Sequence, residues 1–202
     1  MKTSVRARLE AKARERGTTF HYASLLYMQE GFLARLAASP HADKLILKGG
    51  FLLFSTRAPM GRTTRDIDFL GEGLPNEETS LVRIVASIAA IRRDDAIAFD
   101  AAAIRAERIT EGAEYHGVRL HVPCRLGVLR NMLQVDIGFG DAISGKPQRI
   151  ELEGLLGGSP TPVWAYPLAS VVGHDSARCP PRDPVRTTWP HKHASTDQSG
   201  PG

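Results

Sequence analysis

The chain has little cysteine, no long apolar run and only a small excess of charge, and each shortage removes a class of explanation. Its 202 residues include two cysteines, Cys124 and Cys179. Two are too few for a disulfide framework or a cysteine-based metal site, so a reducing cytoplasm is the expected compartment. No apolar segment approaches the ~20 residues of a membrane-spanning helix. The opening residues, MKTSVRARLEAKARERG, lack the apolar core of a secretory signal and carry acids that transit peptides avoid. The formal net charge is +4, with 42% hydrophobic and 24% charged residues. That balance suits one globular domain, and it permits contact with RNA or nucleotide without requiring it.

Aliphatic residues are also scarce after Val172. The segment GHDSARCPPRDPVRTTWPHKHASTDQSGPG holds five prolines and almost nothing to bury. Such a stretch cannot offset its ordering entropy, so residues 173–202 are expected to be a disordered tail behind a domain at 1–172. His174, His191 and His193 fall in it; a flexible tail is a poor ligand cage, and the His-x-His pair reads as an accident of composition.

What the chain does have is concentrated between Lys44 and Leu70. Leu45, Ile46 and Leu47 form a short apolar strand closed by Lys48. Gly49 and Gly50 then allow a sharp turn and a close backbone approach to a ligand. Phe51 to Phe54 begin a helix whose free N–H groups and positive dipole end suit a phosphate. A basic loop follows, with Arg57, Arg62 and Arg65 beside Pro59 and Gly61. Basic loops are often merely solvated, but this one directly precedes Asp66-Ile67-Asp68-Phe69-Leu70. In a strand, Asp66 and Asp68 share one face while Ile67 and Phe69 share the other. Paired carboxylates near a phosphate-binding turn are what a Mg²⁺–nucleotide complex requires.

The flanking sequence supplies scaffold. Residues 4–16 and 20–38 read as helices, the first with a stripe through Val5 and Leu9, the second with Leu25, Leu26, Met28, Phe32, Leu33 and Leu36 inward. Thr18 or Thr19 caps the second. The basic residues of the first helix are either a solvated face or an RNA-facing patch. Another helix is expected from Pro75 and Asn76 to about Arg93, with Asn76 as its cap. Thereafter the period falls to two: Ile97–Phe99, Arg105–Thr110, Val118–Leu126 and Met132–Phe139 read as strands, punctuated by Gly112, Gly117 and Asn131. In the last of these, Leu133, Val135 and Ile137 face one way and Gln134, Asp136 and Gly138 the other. An acid there, followed by glycines, fits a third carboxylate brought beside Asp66 and Asp68; the alternative is an edge strand with a solvated Asp. Asp141 is a weaker candidate that also suits a turn cap. Val163–Leu168 reads as a last short strand. The fold class is α+β: a mixed or largely antiparallel sheet with flanking helices.

Three motifs in this order resemble a known family. They are LKGG (Leu47 to Gly50), the R-x-T-x-D-I-D run (Arg62, Thr64, Asp66, Ile67, Asp68) and VDIGFGD (Val135 to Asp141). Together they resemble the nucleotidyltransferase fold that includes DNA polymerase β, and more closely the AbiEii-type nucleotidyltransferase toxins of bacterial type IV toxin–antitoxin pairs. The likeness covers roughly the first 170 residues.

The resemblance implies transfer of NMP from an NTP to an RNA hydroxyl, such as a tRNA 3′ end, or to a protein hydroxyl. It implies two Mg²⁺ ions held by Asp66, Asp68 and Asp136, and a triphosphate held by Lys48, Gly49, Gly50, Arg62, Thr64 and Arg65. A cognate antitoxin is the implied partner. In the resembled toxins a lysine-bearing helix and a further aspartate follow the segment similar to Tyr166-Pro167-Leu168. Here Lys192, Asp175 and Asp183 are no substitutes, because no periodic element places them. The abrupt change suggests that the gene has lost its normal 3′ half, a frameshift being one route, which would leave the domain truncated on its C-terminal side. The second reading is therefore a catalytically inactive remnant that binds nucleotide, RNA or antitoxin only. A third, a metal-dependent phosphohydrolase, fits the acids but not the glycine turn.

Overall fold

The computed structural model describes residues 3–56, 65–110, 116–140 and 145–166. The chain begins with two helices, α1 (Thr3–Glu15) and α2 (Phe20–Ala37). The Thr19 hydroxyl oxygen accepts from the Tyr22 N–H at 3.1 Å, which fixes where α2 starts. Leu9 and Ala13 of α1 are buried, and its basic residues are partly paired along the helix, Arg6 with Glu10 and Lys12 with Glu15. Residues Met28, Phe32, Leu33 and Leu36 of α2 are fully buried, each worth ~1.5–3 kcal/mol of transfer free energy.

Strand β1 (Leu45–Lys48) leads directly into α3 (Gly49–Thr56), and β2 (Asp66–Gly71) follows. Helix α4 spans Glu78–Ala89, shorter than the span expected from Pro75 to Arg93. Its N-cap is Glu77, without a side-chain cap bond, so Asn76 does not cap it. Its far end is set by tertiary contacts. Arg35 of α2 donates from Nε to the Ile91 carbonyl at 2.9 Å and pairs with Asp95 through Nη1 and Nη2 at 2.6 and 3.1 Å. The same guanidinium stacks 4.8 Å from the Phe99 ring centre. A buried cation with this many acceptors pins the chain after α4 more strongly than helix propensity extends it.

The remaining strands are β3 (Ile97–Phe99), β4 (Arg105–Thr110), β5 (His116–Leu126), β6 (Leu129–Gly138), β7 (Gln148–Leu152) and β8 (Thr161–Ala165). They join β1 and β2 in one eight-stranded mixed sheet, ordered β3-β5-β6-β2-β1-β8-β7, with β4 also paired to β5. Asn131 and Gly117, expected as breaks, lie inside β6 and β5. The actual turn is Gly127-Val128, with Gly127 at φ +61° and Leu126 opposite Leu129. A two-residue turn with glycine first matches the twist of the strands it joins. Strand β7 was not expected from the sequence; it pairs with β8 through backbone bonds despite its polar side chains.

The sheet has two unlike faces. Leu120, Val122, Cys124, Leu133, Val135 and Ile137 are buried on one, where α2 packs; the Cys124 and Met28 sulfurs are 3.3 Å apart. Burial pushes the Cys124 thiol up to about 12, so it is an inert core group rather than a nucleophile. The other face carries the polar alternates, Asp136, Gln134, Arg119 and His121 among them.

One half-buried carboxyl makes the fold pH-sensitive. Glu30 of α2 accepts from the Leu155 N–H through both oxygens, at 2.9 and 3.0 Å. Burial outweighs those bonds and pushes its carboxyl from 4.5 up to about 7. The folded chain therefore holds a proton that the unfolded chain releases between those values. This stabilisation is fully present below about 4.5 and lost as pH rises through about 7, by at most ~3 kcal/mol. Urea unfolding at pH 5 and pH 8 should show the wild type losing ~2–3 kcal/mol more than Glu30→Gln over that interval. Parallel pH profiles for the two proteins would remove Glu30 as the cause.

Candidate functional site

Pairing registers build the site. Strand β2 runs parallel to β6, which places Asp66 beside Gln134 and Asp68 beside Asp136. Strand β1 runs antiparallel to β2, placing Lys48 opposite Asp68. Strand β5 runs antiparallel to β6, placing Arg119 opposite Asp136 and His121 opposite Gln134. Partners at one register position point to one face. Lys48, Asp68, Asp136 and Arg119 thus form a row across four adjacent strands, and Glu107 of β4, opposite Arg119, extends it.

Oxygens of Asp66, Asp68 and Asp136 lie within 4.8 Å of one another, and all three residues are half-buried. This is the one such group of potential metal ligands found among the described residues. The donor set is entirely carboxylate oxygen, with no imidazole or thiolate, which favours a hard divalent cation such as Mg²⁺ or Mn²⁺. Opposite ligands of an octahedral Mg²⁺ stand ~4 Å apart, so this spacing accommodates the ion with small side-chain rotations. The residues present fit the group.

Arg119 was not anticipated from the sequence. Its Nε and Nη2 donate to the two oxygens of Asp136 at 3.0 and 2.8 Å, a bidentate pair. That pairing holds the Arg119 guanidinium above its ordinary range. Gln134, with its amide oxygen turned to the guanidinium, accepts from the same two nitrogens at 3.1 Å. The available signal was the hairpin register: a two-residue turn at Gly127-Val128 aligns Arg119 with Asp136, but taking Asn131 as a break conceals it. Farther along, an imidazole nitrogen of His121 lies 3.1 Å from Glu107.

The glycine turn meets the acids directly. Gly49 has φ +69°, and a Cβ there would lie 2.0 Å from an Asp68 carboxylate oxygen and 2.7 Å from its Cγ. Only glycine allows both the left-handed backbone and the contact. Gly50, next in chain, belongs to the first turn of α3, so the N-terminal end of that helix adjoins the acids. Of the other residues expected to hold a triphosphate, Lys48 is half-buried across from Asp68, and Arg65 is exposed just before β2. Arg62, Thr64 and Asp141 lie outside the described residues, as does the expected tail at 173–202. No helix among the described residues is long and apolar enough to cross a membrane.

No curated protein matches the chain. Two solved structures from Helicobacter pylori are similar. One, described as a candidate nucleotidyltransferase, is 18% identical with a TM-score of 0.48, over 82% of this chain and 61% of that one. The other, JHP933, is 19% identical with a TM-score of 0.48, over 79% of this chain and 57% of that one. The chain thus spans about three fifths of the length of each. The sequence model of one family, nucleotidyl transferase AbiEii toxin of type IV TA systems, matches residues 31–174. That match takes in the glycine turn, all three acids and Arg119, and the chain belongs to the AbiEii nucleotidyltransferase toxin family.

Proposed function

We propose that the protein transfers NMP from an NTP to a hydroxyl of an RNA, with a tRNA 3′ end as the preferred acceptor and a protein hydroxyl as the alternative. The observation that carries this reading is the convergence of Asp66, Asp68 and Asp136 within 4.8 Å, in a chain of this family. In the reaction the acceptor oxygen bonds to the α-phosphorus, the bond to pyrophosphate breaks, and the hydroxyl proton passes to a base. Two bound divalent cations, Mg²⁺ by preference, would supply positive charge to the attacking and leaving oxygens.

The chain's own residues divide the remaining tasks. Asp66 and Asp68 hold the nucleotide's counter-charge on one strand face. Asp136 completes the site on the acceptor side and helps to take the proton. Arg119, bidentate on it, fixes the orientation of its carboxylate, so its chief contribution is as an oriented oxygen ligand. Gly49 and Gly50 offer backbone N–H groups and the α3 dipole to the triphosphate. Lys48, Arg62 and Arg65 add positive charge, and Thr64 a hydroxyl. The partner that restrains the activity is a cognate antitoxin, and the compartment is the cytoplasm. The domain ends near residue 172.

Incubation with Mg²⁺, each labelled NTP in turn and total tRNA tests this reading. Label should pass to RNA, and Asp66→Ala should reduce transfer at least ~10³-fold. Tight nucleotide or RNA binding without transfer would favour the binding-only reading, which the aperiodic sequence of residues 173–202 motivates. Phosphate release without transfer would favour hydrolysis.

Gly49→Ala gives a second test. The added Cβ forces Asp68 aside and strains the backbone, at a cost of ~1–3 kcal/mol in stability. Transfer should fall ~100-fold or more while circular dichroism stays native. Wild-type activity in Gly49→Ala would show that the close approach of the turn to Asp68 is not needed.

A further inference from the structure

The face that carries the acids does not end with them. Along β6, Asp136, Gln134, Met132 and Arg130 alternate onto it; along β5, Arg119, His121, Pro123 and Arg125 lie opposite them in the same order. At the acid end Lys48 and Arg119 flank the carboxylates and balance them in part. At the hairpin end the balance is lost. Arg125 and Arg130 are direct cross-strand partners, both exposed, and Ala98 of β3 is the next residue in their row. Like charges directly opposite destabilise a sheet unless an anion lies between them. No ion pair or hydrogen bond from a described residue satisfies either guanidinium. Met132, 48% exposed, and Pro123 form a flat apolar step between this pair and the site. Arg105 adds a further exposed cation on the same face, opposite His121.

We infer that this hairpin face is a track for the phosphodiester backbone of the single-stranded polynucleotide acceptor, with Arg125 and Arg130 gripping phosphates upstream of the reacting end. The inference rests on the transferase reading and adds to it where the acceptor lies. Its argument is charge complementarity and continuity. Six residues of strand separate Asp136 from Arg130, about 20 Å, a distance that a few extended nucleotides cover. One strand lying along the hairpin would meet arginines where it carries only phosphate charge, and would meet the carboxylates where its terminal hydroxyl must react. Guanidinium groups pair with phosphate in bidentate fashion and stack on bases, which a stretch of exposed arginine with apolar residues between serves. An acidic protein segment is the competing occupant.

The test is binding of a labelled single-stranded RNA oligonucleotide to the full chain in EDTA, followed by fluorescence anisotropy over a range of salt. Wild type, Arg125→Gln/Arg130→Gln and Asp66→Ala are compared. The double variant should bind ~10-fold more weakly, and its slope of log affinity against log salt should be shallower by about 1.4, two phosphate contacts at ~0.7 each. Its thermal midpoint should hold or rise, since a like-charge pair is removed. Asp66→Ala should bind RNA at least as well as wild type, so loss of transfer and loss of the track are read separately. Unchanged affinity and slope in the double variant would overturn the track. So would competition by poly-glutamate as effective as that by unlabelled RNA at equal charge, which would make the face a protein dock.

Discussion

Asp68 and Asp136 occupy the same register position on neighbouring parallel strands, so two negative charges are held side by side by backbone pairing. Asp66 on the same face makes the third. Strand pairing does not allow these side chains to separate by more than a rotamer change. Their repulsion must be met by positive charge, and the surroundings are arranged around that need. Lys48 stands in register on one side and Arg119 on the other, the latter bonded to both oxygens of Asp136. The remaining negative charge is what a divalent cation would neutralise, and a triphosphate would join such an ion through its own oxygens.

The glycine turn and the hairpin are the two devices that make this arrangement possible. Gly49 lets α3 start within contact distance of Asp68, so helix N–H groups and carboxylates share one small volume. Gly127 sets the β5–β6 register, and through it the meeting of Arg119 with Asp136. The helices act at a distance. Arg35 and the α2 core hold β3, β5 and β6 on the covered face, which leaves the polar face to carry chemistry.

Local pattern made much of this legible before any coordinates. The alternation in Leu133 to Ile137 assigned Asp136 to the polar face, and the Asp-Ile-Asp spacing did the same for Asp66 and Asp68. Helix α2, with its long apolar stripe and threonine cap, could be read almost residue for residue. What stayed hidden depended on contacts between distant segments. Arg119 sits between Val118 and Leu120 and gains meaning only through the register of its hairpin. Strand β7 has polar side chains at Gln148, Arg149 and Glu151 and is a strand because β8 offers it backbone partners. Helix α4 stops short because Arg35 captures Ile91 and Asp95, a choice made by α2 rather than by the local sequence.

Manganese binding measures the central claim most directly, since it reads the carboxylates as a unit and needs neither acceptor nor turnover. Free Mn²⁺ can be followed by electron paramagnetic resonance during titration of the wild type and of Asp136→Asn. The account predicts binding by the wild type and a loss of at least ~10-fold in affinity on changing Asp136, although that residue lies on a different strand from Asp66 and Asp68. Equal Mn²⁺ affinity in the two proteins would contradict it, because the three acids would then not form one site.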